Sequence, residues 1–187
     1  MRAITILNQT KRLFLLLFIP LLTLAGCKSS SQKRAEALFG EGFKLSIEAG
    51  NVLSRYAREI DQVFTVQNRA KFPANRDWLN SRAQASLPFL DEGMRLDTEA
   101  AKKFEESSRL WSTEQNRKAV GLIAASYRKS VEMDQLYKDL MLLPSDPTIT
   151  DATAFNEKFL HIHQVIGQKE KEREAQFDEG KRLMTGK

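Results

Sequence analysis

The chain has 187 residues, of which 42% are hydrophobic and 28% charged, with 29 Lys and Arg against 24 Asp and Glu. That length suits one domain with a continuous core and is too short to expect two. A single Cys excludes an internal disulfide.

Arg2, Lys11 and Arg12 make the N-terminus positive, and Leu13 to Leu24 follow as an apolar run interrupted only by Pro20 and Thr23. As a helix this run rises about 18 Å, well short of a hydrocarbon core of about 30 Å. It ends in Leu24-Ala25-Gly26-Cys27. The order of charge, apolar run and small residues is that of an export signal. The last four residues resemble the lipobox of bacterial lipoproteins. The resemblance implies cleavage before Cys27, loss of residues 1–26 as a signal peptide, and lipid attachment at Cys27 through a thioether diacylglycerol and an amide-linked acyl chain. An uncleaved membrane anchor with an incidental Cys is the alternative. Two or more acyl chains hold a protein stably where one holds it marginally. The covalent lipid is the only attached group expected, with no other cofactor.

Removing the signal removes three cations and no acid, leaving 26 basic against 24 acidic residues in 161. The apparent basicity belongs largely to the signal, so a nucleic-acid partner is not expected. Residues 27–34 read as the lipidated Cys and a polar tether, Lys28 to Arg34, reaching about 13 to 15 Å. In Gram-negative lipoproteins Asp after the Cys favours the inner membrane. Lys28 therefore points to the periplasmic leaflet of the outer membrane if the source has one, and otherwise to the cell envelope. Residues 35–187 read as a single helical domain with a charged C-terminal extension.

Within that domain the apolar spacing is helical. Leu38, Gly42, Leu45, Ala49, Val52, Tyr56, Ile60 and Val63 step by threes and fours along a helix expected over 33–70. Phe72-Pro73 ends it, because the residue before Pro avoids the helical region. A second helix is expected over about 75–109 on Ala83, Leu87, Leu90, Met94, Ala101, Phe104 and Trp111, with Asp97 and Ser108 on the same stripe. Pro88 should kink it or mark its true start. Ser112 to Gln115 fits a capping box for a third helix carrying Val120, Ala124, Tyr127, Val131, Leu136, Leu140 and Leu143, with a slip of register after Val131. Pro144 and Pro147 precede a fourth, capped by Thr150 and carrying Ala152, Phe155, Phe159, Ile162 and Ile166. Beyond Ile166 the charges alternate in sign, and a solvated, fraying extension is expected.

Four segments of similar length with short connections predict an all-α, up-and-down antiparallel four-helix bundle after a cleaved signal helix. Three long helices, with the second and third fused, are the alternative. If Cys27 is lipidated, the bundle end carrying Cys27 faces the membrane and the Phe72–Trp78 and Pro144–Pro147 turns form the far tip. Phe72 and Trp78, large aromatics beside charges, are the candidate partner surface. The other outcome is that both plug the end of the core.

Catalytic and metal chemistries find little support. His161 and His163 point to opposite sides of a helix. Glu157 and His161 have a four-residue spacing that suits one metal, but the Glu-x-x-His pairs of di-metal bundles are absent, since Lys158 and Leu160 stand three residues before the histidines. There is no Gly-x-Ser-x-Gly elbow, phosphate-cradling loop or Cys-x-x-Cys-His. Gly40 and Gly42 lie in a helical pattern and read as sites of close helix approach. A buried Asp97 could titrate unusually, or could simply mark a polar layer. The reading reached is a non-catalytic, lipid-anchored helical module that binds or positions another envelope protein. A ligand or lipid carrier with a cavity between helices is the alternative, and a metal protein or other enzyme centred on Glu157, His161 or Asp97 the third.

Overall fold

A computed structural model describes residues 29–186; Leu24, Ala25, Gly26 and Cys27 lie outside the described residues. The described chain is helical: α1 (Ser30–Val63), a short α2 (Val66–Ala70), α3 (Arg76–Leu110), α4 (Glu114–Leu142), a 3-10 turn at Leu143–Ser145, and α5 (Ala152–Thr185). Four of these are long, and they pack as a bundle of separate helices rather than as three rods. None of the described helices is long and apolar enough to cross a membrane.

The cross-helix contacts fix an antiparallel register. Ser107 Oγ near the end of α3 donates to Ala35 O near the start of α1 at 2.8 Å, while Glu59 at the end of α1 pairs with Arg82 at the start of α3. Asp91 meets Lys138 at 2.7 Å and Glu105 meets Arg128, which runs α4 back along α3. Gln115 Nε2 donates to Leu183 O at 2.7 Å and Lys129 meets Glu172 at 3.3 Å, which runs α5 back along α4. Exposed ion pairs of this kind are worth only about 0–1 kcal/mol each. They report the register more than they hold it.

Local chemistry sets the helix ends, and several differ from expectation. Ser29 accepts from the Gln32 amide at 3.1 Å, so α1 begins at Ser30 and the expected tether over 28–34 is mostly helix. At the other end α1 stops at Val63 instead of running to 70. Thr65 turns extended and caps α2, while Asn68 Nδ2 donates to Val63 O at 3.0 Å and Arg69 Nε to Phe64 O at 3.1 Å. Those side chains satisfy carbonyls that a helix end leaves unpaired. Pro88 lies inside α3, which starts at Arg76; the proline is exposed, so the carbonyl it deprives of a bond has access to water. The cap of α4 is Thr113, not Ser112, with Asn116 N donating to it at 3.2 Å, and Gln115 is committed to Leu183 instead of a capping box. Asp151, not Thr150, caps α5 by accepting from Thr153 N and Ala154 N at 2.8 and 2.9 Å.

The interior divides in two along the bundle axis. At the end near Ser29, Ala35, Phe39, Phe104, Trp111, Val120 and Ile123 form one apolar cluster. At the other, Leu53, Ile60, Leu79, Leu90, Leu140, Phe155 and Ile166 belong to a second. Between them lie the buried polar residues Ser46, Asp97, Ser126 and Asp134. This layer explains both the Asp on the stripe of α3 and the slipped register of α4. Tyr127 hydrogen-bonds to Ser46, and Tyr56 donates to Tyr137 O at 3.3 Å across the bundle.

The expected solvated extension after Ile166 is instead a packed part of α5. Phe177 meets Tyr127 edge-on with ring centroids 6.5 Å apart, and Gly180 is buried against α4. A Cβ at Gly180 would lie 2.7 Å from Ala119 O, and one at Gly42 would lie 2.9 Å from the ring of Phe104. Gly40 has open space around it. Close approach is therefore a property of Gly42 and Gly180 and not of Gly40. Gly42→Ala and Gly180→Ala should each destabilise by about 1–3 kcal/mol, whereas Gly40→Ala should stabilise by about 0.5–1 kcal/mol. Urea unfolding followed by circular dichroism measures all three.

Burial pushes all three tyrosines of the chain above the ordinary phenol value. For Tyr127, raised to about 12, Asp97 adds to the effect; for Tyr56 and Tyr137, Asp134 does. A folded pKa above the unfolded value of about 10 gives stability that is complete below pH ~10 and lost as pH rises through the folded values. Absorbance titration of tyrosinate should show no group ionising near pH 10 in the folded protein, and all three doing so in urea. Normal titration of the folded protein would contradict the packing of this layer.

Candidate functional site at the distal tip

The tip opposite Ser29 is built from α2, the start of α3, the turn after α4 and the start of α5. Phe64, Phe72 and Phe155 close the apolar core there, with Phe72 and Phe155 ring centroids 4.7 Å apart. Arg76 lies over the Phe72 ring at 4.7 Å, and Arg69 lies over the Phe159 ring at 4.1 Å while donating to Asn156 Oδ1 at 2.8 Å. Each cation stacked on an aromatic face contributes about 0.5–2 kcal/mol. Burial lowers the Arg69 pKa from its ordinary value, without any prospect of deprotonation near neutral pH. Beside them Lys158, together with Thr148, holds the Asp146 carboxyl below the usual carboxylate range and ties the turn to α5. The tip is thus a cross-braced cap.

The two aromatics expected to form a partner surface separate. Phe72 is only 4% exposed and plugs the core between Phe155 and Arg76, so it is removed from that surface. Trp78 is 46% exposed on the outside of α3. It is joined by a residue that the sequence reading did not single out: Phe89, 38% exposed. Trp78, Arg82, Ala85 and Phe89 recur at steps of four, three and four, and all are exposed, so they form one stripe along α3. Glu59 of α1 meets this stripe at Arg82. The spacing from Trp78 to Phe89 was legible in advance, but Phe89 lies off the stripe of Ala83, Leu87 and Leu90 from which the helix was read.

The other candidate residues do not come together. Glu157 and His161 are exposed on α5, whereas Asp97 is buried in the polar layer of α3. His163 stacks on Phe159 with centroids 6.0 Å apart. Among the described residues no group of three or more His, Cys, Asp or Glu is placed to hold a metal ion.

No family model, curated protein or solved structure matches the chain. The reading of its function therefore rests on its own residues.

Burial separates the roles of the two tip aromatics in a measurable way. Phe72→Ala should cost about 3–5 kcal/mol of stability, the range for a buried Phe, while Trp78→Ala should change it by under about 1 kcal/mol. Chemical denaturation of both variants distinguishes a plug from a free surface.

Proposed function

We propose that this protein is a lipid-anchored, non-catalytic helical module of the cell envelope, which presents the Trp78–Phe89 stripe to another envelope protein. The observation that carries the partner reading is the exposure of two large aromatics on one face of a helix that is otherwise well packed. Aromatic side chains flanking an Arg are the chemistry that protein interfaces use for their energetically dominant contacts. Scattered single apolar residues on a surface need no explanation, but a helical stripe of them at the rim of a braced cap does.

The anchor reading is supported by the motif Leu24-Ala25-Gly26-Cys27 and by where the fold begins. α1 starts at Ser30, three residues after Cys27, so lipid on that Cys would hold the bundle directly against the headgroups. A helix of 34 residues rises about 51 Å, so the tip would project that far from the bilayer. Outer-membrane placement in a Gram-negative source follows from Lys28.

Two substitutions separate the two parts of this reading. Cys27→Ser should abolish incorporation of labelled fatty acid; labelling that persists refutes the anchor. Trp78→Ala combined with Phe89→Ala should reduce recovery of crosslinked partner from membranes by at least about tenfold, with helical content unchanged. Equal recovery from the variant and the unaltered protein refutes the partner surface and leaves the anchor standing.

A further inference from the structure

Charge is distributed unevenly between the two ends of the bundle. Of the 29 basic residues, Arg2, Lys11, Arg12, Lys28 and Lys187 lie outside the described residues, which leaves 24 basic against 24 acidic. The described bundle is neutral as a whole, yet its end near Ser29 is not. Lys33 and Arg34 are exposed in the early turns of α1, Arg117 and Lys118 in those of α4, and Arg109 in the last turn of α3. Lys181 and Arg182 of α5 share this end, and the acids there are Glu36, Glu105, Glu106, Glu114, Asp178 and Glu179, of which Glu105 is held by Arg128 and Glu179 by Arg182 at 2.6 Å, so the excess of cations lies in the outermost turns. At the distal end, by contrast, Asp61, Asp77, Asp139, Asp146, Asp151 and Glu157 offset the cations present.

Two features direct this positive charge outward along the axis. Side chains on a helix lean towards its N-terminus, so the cations that open α1 and α4 lean towards the end face and not back along the bundle. The N-terminus of a helix also carries about half a positive charge, which disfavours cations nearby and favours an anion. The first turn of α1 contains no acidic residue to meet it. Lys33 and Arg34 therefore add to the dipole of α1 instead of offsetting it, while the opposing C-termini of α3 and α5 at the same end are met by Arg109 and Arg182.

We propose that this basic end face docks on anionic phospholipid headgroups. The proposal rests on the reading that Cys27 carries lipid, because that anchor brings this end and no other to the bilayer; α1 begins three residues beyond it, and Lys28 stands between. The anchor supplies permanence, and the basic face supplies orientation, standing the bundle on end so that the Trp78–Phe89 stripe points away from the membrane. Attraction to the surface decays over about 10 Å at 0.1 M salt, so only an end held this close benefits.

The test uses the mature chain with Cys27→Ser, so that binding is not dominated by acyl chains, and sedimentation with vesicles of phosphatidylcholine alone or with one third phosphatidylglycerol. Binding should rise at least tenfold with phosphatidylglycerol at low salt and collapse in 0.5 M NaCl. The triple variant Lys33→Gln, Arg34→Gln, Lys118→Gln should lose about fivefold per charge removed. A control with the same charge change elsewhere, Lys44→Gln, Arg58→Gln, Lys71→Gln, should lose far less. All six positions are exposed, and thermal melts check the folding of each variant. Equal losses in the two triples, or no preference for phosphatidylglycerol, overturns the proposal. Fatty-acid labelling at Cys27 is an independent readout, so failure of the anchor and failure of the docking face are told apart.

Discussion

The constraint on which the bundle depends is the buried polar layer across its middle. A carboxylate such as Asp97, taken from water into an apolar interior, costs several kcal/mol unless other polar groups receive it. Here Asp97, Asp134, Ser46 and Ser126 come from three helices to the zone between the two apolar clusters, Ser126 and Asp134 lying about two turns apart on α4, with the tyrosines alongside. Sliding α3 or α4 by one turn would carry Asp97 or Asp134 towards the apolar clusters of its neighbours and leave a gap in the layer. We attribute to this layer a role in fixing register, in the way that single polar residues fix register in coiled coils. The cross-helix ion pairs on the surface then follow from the register set inside. The close contacts of Gly42 with Phe104 and of Gly180 with Ala119 O narrow the choice further, since neither tolerates a shifted neighbour.

Much of this architecture was legible in spacing alone. Leu38, Gly42, Ala49, Tyr56, Ile60 and Val63 are all buried along α1, as their steps of three and four require. The register slip on α4 was also visible, and its cause is the polar layer at Ser126 and Asp134. What spacing could not give were decisions made by tertiary contacts. Thr65 ends α1 because Asn68 and Arg69 collect its free carbonyls, and Gln115 leaves its own helix end for Leu183 on another helix. Phe177, Gly180 and Met184 continue the inward face of α5 at steps of three and four. Their signal was hidden by the surrounding charges, whose alternation resembles a solvated tail.

At the tip the same limit applied to side-chain fate. Phe72 and Trp78 are equally apolar in sequence, but the fold brings Phe155 and Arg76 to one and nothing comparable to the other. Charge asymmetry was still less visible, because 26 basic against 24 acidic residues from Cys27 onward give no hint of where they gather. Only with the helix ends in place do Lys33, Arg34, Arg117 and Lys118 share a face. We propose different work for the two ends: attachment and orientation at the first, recognition at the second.

The central claim is that the bundle stands on its Ser29 end. The only Cys in the chain would be consumed by lipid, so a Cys introduced elsewhere becomes a unique labelling site. Ser112→Cys and Gln67→Cys, exposed at opposite ends, would each carry a donor fluorophore on the lipidated protein in vesicles doped with an acceptor lipid. Energy transfer should be strong from position 112 and weak from position 67, in keeping with a separation of about 50 Å along the axis. Equal transfer from the two positions would mean that the bundle lies flat, and would contradict the account.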